Sequence, residues 1–146
     1  MTHRLEVRLA NELPEIGRLM DEVKKFGESC SAPPPVVFDF TLAFDELLTN
    51  TITYGFEADS RHEIVVRLAV EGDHLVGEIR DDGKAFNPLE IPDPDLSLDI
   101  DERPIGGLGV FFVRKVMDRV DYRREDGFNI ITLRKALSGA GSQDGE

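Results

Sequence analysis

Basic residues are scarce in this chain: 17 lysines and arginines stand against 29 aspartates and glutamates, a formal net charge of −12. A deficit of that size argues against a nucleic-acid surface, which needs a basic footprint, and against an anionic membrane face. Cysteine is scarcer still. Cys30 stands alone, so the chain can form no internal disulfide and no thiolate metal cluster, which suits a reducing cytoplasm. No apolar run is long enough to span a bilayer. The opening Met1-Thr2-His3-Arg4-Leu5-Glu6 also lacks the apolar core of a secretion signal. The three histidines, His3, His62 and His74, do not cluster and suggest no metal site. Hydrophobic residues make up 40% of 146, enough to build one core. One domain is therefore expected over residues 1–137, followed by a polar tail over 138–146.

What is present is patterned. Leu5, Val7 and Leu9 alternate with Arg4, Glu6 and Arg8, as in a half-buried strand. Asn11 is expected to cap a helix running to Ser29, with Leu13, Ile16, Leu19, Met20, Val23 and Phe26 as its stripe. The prolines of Ser31–Pro35 suit the start of a second helix that reaches Tyr54 and ends at Gly55. Glu63–Val70 and Leu75–Asp81 form a hairpin about Glu71-Gly72-Asp73. Residues 84–105 show no periodicity and read as a long loop of the functional or mobile kind. A helix over Gly106–Met117 and a hairpin turning at Asp126-Gly127 complete the order. Hairpin-linked strands with separate helices predict an α+β two-layer sandwich, its sheet mixed but mostly antiparallel, its helices on one face.

Three stretches carry candidate chemistry. On a helical wheel of about 100° per residue, Val36, Val37, Phe40, Ala43, Phe44, Leu47, Leu48 and Tyr54 fill one arc. Asp39, Glu46 and Asn50 gather at its edge, while Asp45 and Thr49 point elsewhere. A carboxylate at such a seam can accept a hydroxyl proton, and a carboxamide oxygen one turn on can ligate Mg2+. In Leu75–Asp81, positions 75, 77, 79 and 81 share the apolar face, so Asp81 leaves the strand inward and Asp82 outward. A buried carboxylate needs a donor, and an adenine amino group is one. Gly83 would let a flat ring approach the backbone, and Thr132 on the last strand would add a hydroxyl beside it.

Gly106-Gly107-Leu108-Gly109 opens the third helix, where bare N–H groups and the positive end of the helix attract phosphate. No Gly-Lys-Ser/Thr follows, so it is not a P-loop. No strand precedes it, so it is not a dinucleotide fingerprint. The loop before it is rich in acid and proline and is expected to fold over a nucleotide, with Arg103 reaching a terminal phosphate. Each stretch also has an ordinary structural explanation: a solvated helix face, a strand-ending turn, a flexible hinge. Order and separation are what join them.

As a set, these residues resemble the GHKL ATPase superfamily with its Bergerat ATP-binding fold, over roughly Leu5 to Lys135. The nearest resemblance is to its small stand-alone bacterial branch, the anti-sigma-factor serine/threonine kinases of the RsbW and SpoIIAB type. Glu46-x-x-x-Asn50 matches the family's asparagine box. Asp81-Asp82-Gly83-Lys84-Ala85-Phe86-Asn87-Pro88 matches its first glycine box, and Gly106-Gly107-Leu108-Gly109 its second. The resemblance implies that Glu46 is the general base, that Asn50 holds Mg2+ and that Asp81 reads the adenine of ATP. It implies that Gly83 lines the adenine pocket, that Gly107 and Gly109 wrap the phosphates, and that Ala85, Phe86, Gly106 and Leu108 also belong to the nucleotide site. Ala85 departs from the pattern, since many members have glycine there. The resemblance also implies partners: a STAS-domain anti-sigma-factor antagonist phosphorylated on serine, a sequestered sigma factor, and a second copy of the chain, since relatives are often dimers.

Two other functions compete. One is a non-catalytic ATP-binding switch module, against which the presence of Glu46 weighs. The other is the catalytic domain of a sensor histidine kinase. That is disfavoured because the three histidines fall at strand edges or turns and no helical hairpin precedes the domain.

Overall fold

The computed structural model of the chain describes residues 3–57, 59–90 and 107–138. Strand β1 (Arg4–Ala10) is followed by helices α1 (Glu15–Ser29) and α2 (Pro34–Tyr54) and by strands β2 (Glu63–Glu71) and β3 (His74–Asp81). A single 3-10 turn at Pro88–Glu90 then precedes helix α3 (Gly107–Val116) and strands β4 (Arg119–Glu125) and β5 (Phe128–Ala136). The strands form one sheet in the order β1-β2-β3-β5-β4. Every pairing is antiparallel, which is the antiparallel limit of the sheet expected above. The fold is α+β, with the helices packed on one face of the sheet. Among the described residues no helix is long and apolar enough to cross a membrane.

Strand parity decides which side chains reach the core. Val7 and Leu9 of β1, Ile64, Val66 and Leu68 of β2, Leu75 and Ile79 of β3, and Ile131 and Leu133 of β5 are buried beneath the helices. The opposite face carries charge: Arg67 donates to Glu6 of β1 at 2.8 Å and to Glu78 of β3 at 3.0 Å. Such exposed pairs add little stability and keep the face wet. The β4–β5 hairpin turns on Asp126 (φ 54°) and Gly127 (φ 85°), the left-handed pair that suits the twist of a two-residue hairpin.

Helix α2 is the spine of the helical layer. Val36, Phe40, Ala43, Phe44, Leu47 and Leu48 are buried along it, as the wheel predicts. Burying each phenylalanine contributes about 2 kcal/mol. Phe40 and Phe44 lie over Gly77 of β3, where a Cβ would come within 2.9 Å of the Phe44 ring and 3.0 Å of the Phe40 ring. A larger residue at 77 would push α2 off the sheet.

Three local expectations are overturned, the first of them by non-local contacts. Helix α1 starts at Glu15 behind Pro14, without a side-chain cap. Asn11 instead donates to the Ser60 carbonyl at 3.1 Å and accepts the His62 N–H at 3.0 Å. Leu13, expected in the stripe, is exposed because it precedes the helix. Tyr54, expected in the buried arc of α2, is 47% exposed, since the last turn runs past the sheet. Phe38 is exposed as well and flanks a groove with Gly27, Pro33 and Val37.

Candidate functional site

Helix α2 bears the first part of the site. Glu46 is half-buried on its edge, and Asn50 one turn later is buried. The Asn50 Nδ2 has no hydrogen-bond partner among the described residues. An unpaired buried amide costs about 1–3 kcal/mol, and such defects concentrate where function demands them. Glu46 makes no ion pair or hydrogen bond with any described residue. Its carboxyl titrates above the ordinary glutamate value, first because burial disfavours the charge and then because Asp45 lies beside it.

Helix α3 lies against α2 in the opposite direction, and two acids of α2 mark its ends. Gly109, in the first turn of α3, faces the Glu46 carboxylate so closely that a Cβ on Gly109 would overlap it. At the other end, Lys135 of β5 donates to the carbonyl of Val116 at 2.5 Å and pairs with Asp39 of α2 at 3.4 Å. Lys135 is buried, and a cation at the C-terminal carbonyls is favoured by the helix dipole. Asp39 and Glu46 share a seam in sequence but not a role in space. Asp39 is committed to an ion pair that anchors α3, whereas Glu46 faces the end where the glycines lie.

The end of β3 supplies the second part. Asp81 is buried, on the core face with Leu75, Gly77 and Ile79, as parity predicts. Its Oδ1 accepts the Gly83 N–H at 2.9 Å and the Asn129 Nδ2 at 3.0 Å; Oδ2 takes no hydrogen bond from any described residue. Burial raises the Asp81 pKa; the bonds from Asn129 and Gly83 work against that rise, Asp82 adds to it and Arg124 opposes it. Asp82 faces outward, 2.8 Å from the His62 Nδ1. Gly83 is buried against the end of α2: a Cβ there would collide with the Gly55 carbonyl and come within 3.0 Å of the Phe56 ring. The Lys84 N–H donates to that same carbonyl at 3.0 Å. The absent side chain is thus needed first to seat the β3 loop on α2.

The expected site residues divide. Glu46, Asn50 and Gly109 come together along α2 and α3, and Asp81 and Gly83 meet the C-terminal end of α2. Phe86 is half-buried, 6.2 Å from the Tyr54 ring, and Ala85 is exposed on the loop beside it. Gly107 opens α3 and is followed by Leu108. Gly106 and Arg103 lie outside the described residues, as does most of the expected lid. Thr132 is a correction: it pairs with Glu78 and Asp121 and shares their outer face of the sheet, away from Asp81. The residue of β5 that faces Asp81 is Asn129. Asn129, Arg124 and Tyr122 escaped the sequence reading. Strand parity counted back from Leu133 would have found Asn129, a polar residue on a core-facing position.

Comparison with known proteins gives one family and several relatives. The family model described as a histidine kinase-like ATPase domain matches residues 9–135. The chain is 31% identical over 96 residues to the serine/threonine-protein kinase BtrW of Bordetella bronchiseptica, covering 66% of this chain and 68% of that one. It is 29% identical over 97 residues to the serine-protein kinase RsbW of Listeria monocytogenes, covering 64% and 62%. The chain thus spans roughly two thirds of the length of these curated relatives. Among solved structures, the RsbU and RsbW domains of Rv1364c from Mycobacterium tuberculosis superpose with a TM-score of 0.66 at 18% identity, covering 92% of this chain and 32% of that one. The histidine kinase domain of the blue-light-activated histidine kinase EL346 from Erythrobacter litoralis superposes at 0.58 and 16% identity, covering 89% and 63%. These two likenesses concern the fold.

Proposed function

The chain belongs to the histidine kinase-like ATPase domain family, and we propose that it is an ATP-dependent protein serine kinase that also acts by binding partners. The proposed phosphate acceptor is a serine of a STAS-domain anti-sigma-factor antagonist, and the proposed sequestered partner is a sigma factor. The names of the relatives support the kinase half; the partners are the expectation raised by the resemblance.

The observation that carries the proposal is the order of groups along α2. Glu46 lies at the glycine end of α3, Asn50 follows one turn later, and Gly55 carries the loop that holds Asp81. At 1.5 Å per residue, Glu46 and Gly55 are about 13 Å apart along the helix axis. That is the reach of one extended nucleotide, its base at Asp81 and its triphosphate at α3. Asp81 Oδ2 accepts from the base, and the first turn of α3 offers backbone N–H groups to phosphate.

Mg2+, when bound with ATP, neutralises charge on the triphosphate. The chain fits such an ion. Asn50 offers a hard amide oxygen to such an ion, while its Nδ2, buried without a partner among the described residues, is a donor suited to a phosphate oxygen or an ion-bound water. No group of three or more His, Cys, Asp and Glu side chains gathers among the described residues, as suits an ion held largely by phosphate and water. In the transfer, the serine hydroxyl attacks the terminal phosphorus, its proton passes to Glu46, and ADP leaves. Burial makes Glu46 a better proton acceptor than an exposed glutamate. Incubation with radiolabelled ATP and a STAS-domain protein of the same organism tests the proposal. Label on serine is expected; nucleotide binding without label identifies a non-catalytic switch module instead.

A further inference from the structure

Asn129 is buried on the same face of the sheet as Asp81, and every polar atom of its side chain is engaged. Nδ2 donates to Asp81 Oδ1 at 3.0 Å and to the Lys84 carbonyl at 2.9 Å. Oδ1 accepts from the Tyr122 hydroxyl at 2.6 Å, Arg124 Nη1 at 3.0 Å and the Phe86 N–H at 3.3 Å. Arg124 Nη1 also donates to the Gly83 carbonyl at 2.8 Å. Asn129 therefore has nothing left to offer a ligand. Whatever it does to one passes through Asp81.

Two donors, Asn129 Nδ2 and the Gly83 N–H, fill Asp81 Oδ1. Turning the carboxylate out of this plane would forfeit both. Oδ2 is thereby held in one direction as a lone acceptor. We propose that Asn129 is a positioning residue that makes the Asp81 site select a 6-amino purine over a 6-oxo purine. The inference rests on Asp81 being the base-contacting residue of the nucleotide site. An amino group at C6 donates to Oδ2, whereas an oxo group sets a second acceptor against it. Two facing acceptors repel unless a proton comes between them. Asp81 could accept an oxo purine only by taking up that proton and becoming a donor. The donors on Oδ1 favour the ionised form and oppose this. They also work against the burial that favours the protonated form.

The test measures calorimetric affinities of the 146-residue chain for ATP and for inosine triphosphate, which carries an oxygen in place of the amino group. The unaltered chain is expected to prefer ATP by about tenfold or more, the worth of one well-placed hydrogen bond. Asn129→Leu removes the donors at similar volume. Asn129→Asp keeps the oxygen facing Tyr122 and Arg124 but replaces the donor end with a carboxyl that can share a proton with Asp81. In both variants the preference is expected to fall to within about threefold. If Asn129→Leu fails to fold by circular dichroism, Asn129→Asp decides alone. A purely structural role would weaken both nucleotides by one factor; an unchanged preference in folded variants overturns the role of Asn129 while leaving the nucleotide site standing. An unaltered chain that binds neither nucleotide overturns the site itself, and the inference with it.

Discussion

Gly109 and the Glu46 carboxylate occupy adjoining space, with no room between them for a methyl group. The obstructing atoms are the tip of a flexible side chain, so Gly109→Ala displaces Glu46 and leaves the backbone in place. Alanine also favours a helix over glycine by about 1 kcal/mol. The thermal midpoint is therefore expected to hold or rise. Phosphoryl transfer is expected to fall about tenfold or more, because the base has left its position. A folded Gly109→Ala protein transferring label at the normal rate would show that the placement of Glu46 does not matter.

Asp39 and Glu46 separate by opposite losses. Asp39→Ala leaves the buried Lys135 ammonium without its countercharge, although the Val116 carbonyl remains. The expected cost is about 2 kcal/mol, below the usual range for a broken buried pair because that carbonyl still serves the cation. Activity per folded molecule should stay close to normal. Glu46→Gln should leave stability within about 0.5 kcal/mol, retain nucleotide affinity and lose phosphoryl transfer. Denaturant melts paired with transfer assays distinguish the two. Loss of transfer in Asp39→Ala with full activity in Glu46→Gln would reverse the assignment.

The parts of this molecule that obey a local period were legible in the sequence. Alternation placed Val7, Leu9 and Asp81 on the core face, and the helical wheel placed Phe40, Phe44 and Leu48 against the sheet. What escaped depends on residues far apart in the chain. Asn11 looks like a helix cap until Ser60 and His62 arrive beside it. Asp39 and Glu46 look equivalent on the wheel, and only Lys135, nearly a hundred residues away, commits one of them. Thr132 offers a hydroxyl near the right strand, but it stands on the wrong parity, opposite Glu78 and Asp121. Asn129 stands on the right one, and its meaning comes from five partners spread over β3, β4 and the loop between β3 and α3.

Asp81 holds a charge where the fold would prefer none. Because burial raises its folded-state pKa above the ordinary 3.8, the folded chain keeps the proton to a higher pH than the unfolded chain. The associated stability is fully present below the unfolded value and is lost as pH rises through the folded value. At neutral pH the ionised group is thus a net cost. Asp81→Asn keeps the shape and an oxygen for the Gly83 and Asn129 donors. It should raise the thermal midpoint at pH 7 and remove this group's share of the decline in stability above the acid range. The same variant should lose ATP binding, since its oxygen stays with those two donors and the amide turns an NH2 donor, not an acceptor, toward the 6-amino group. Thermal melts from pH 4 to 7 beside calorimetry check both halves; a variant less stable than the parent at pH 7 would show that the charge is compensated within the fold.

Asn50 gives the sharpest separation of stability from binding. Its Nδ2 is buried without a partner among the described residues, so truncation to alanine removes an unsatisfied amide as well as some packing. The two effects oppose each other, each of order 1–2 kcal/mol, and the net change in unfolding free energy should be within about 1 kcal/mol. Binding should respond otherwise. If the Asn50 oxygen holds the ion that accompanies ATP, then affinity measured with Mg2+ should collapse in Asn50→Ala. Affinity in the presence of a chelator, already weak in the parent chain, should hardly change. Titration of parent and variant with ATP, with and without Mg2+, gives four values whose ratio isolates the contribution of the ion. Equal loss with and without Mg2+ would place Asn50 on the nucleotide and not on the metal; no loss in either would remove it from the site.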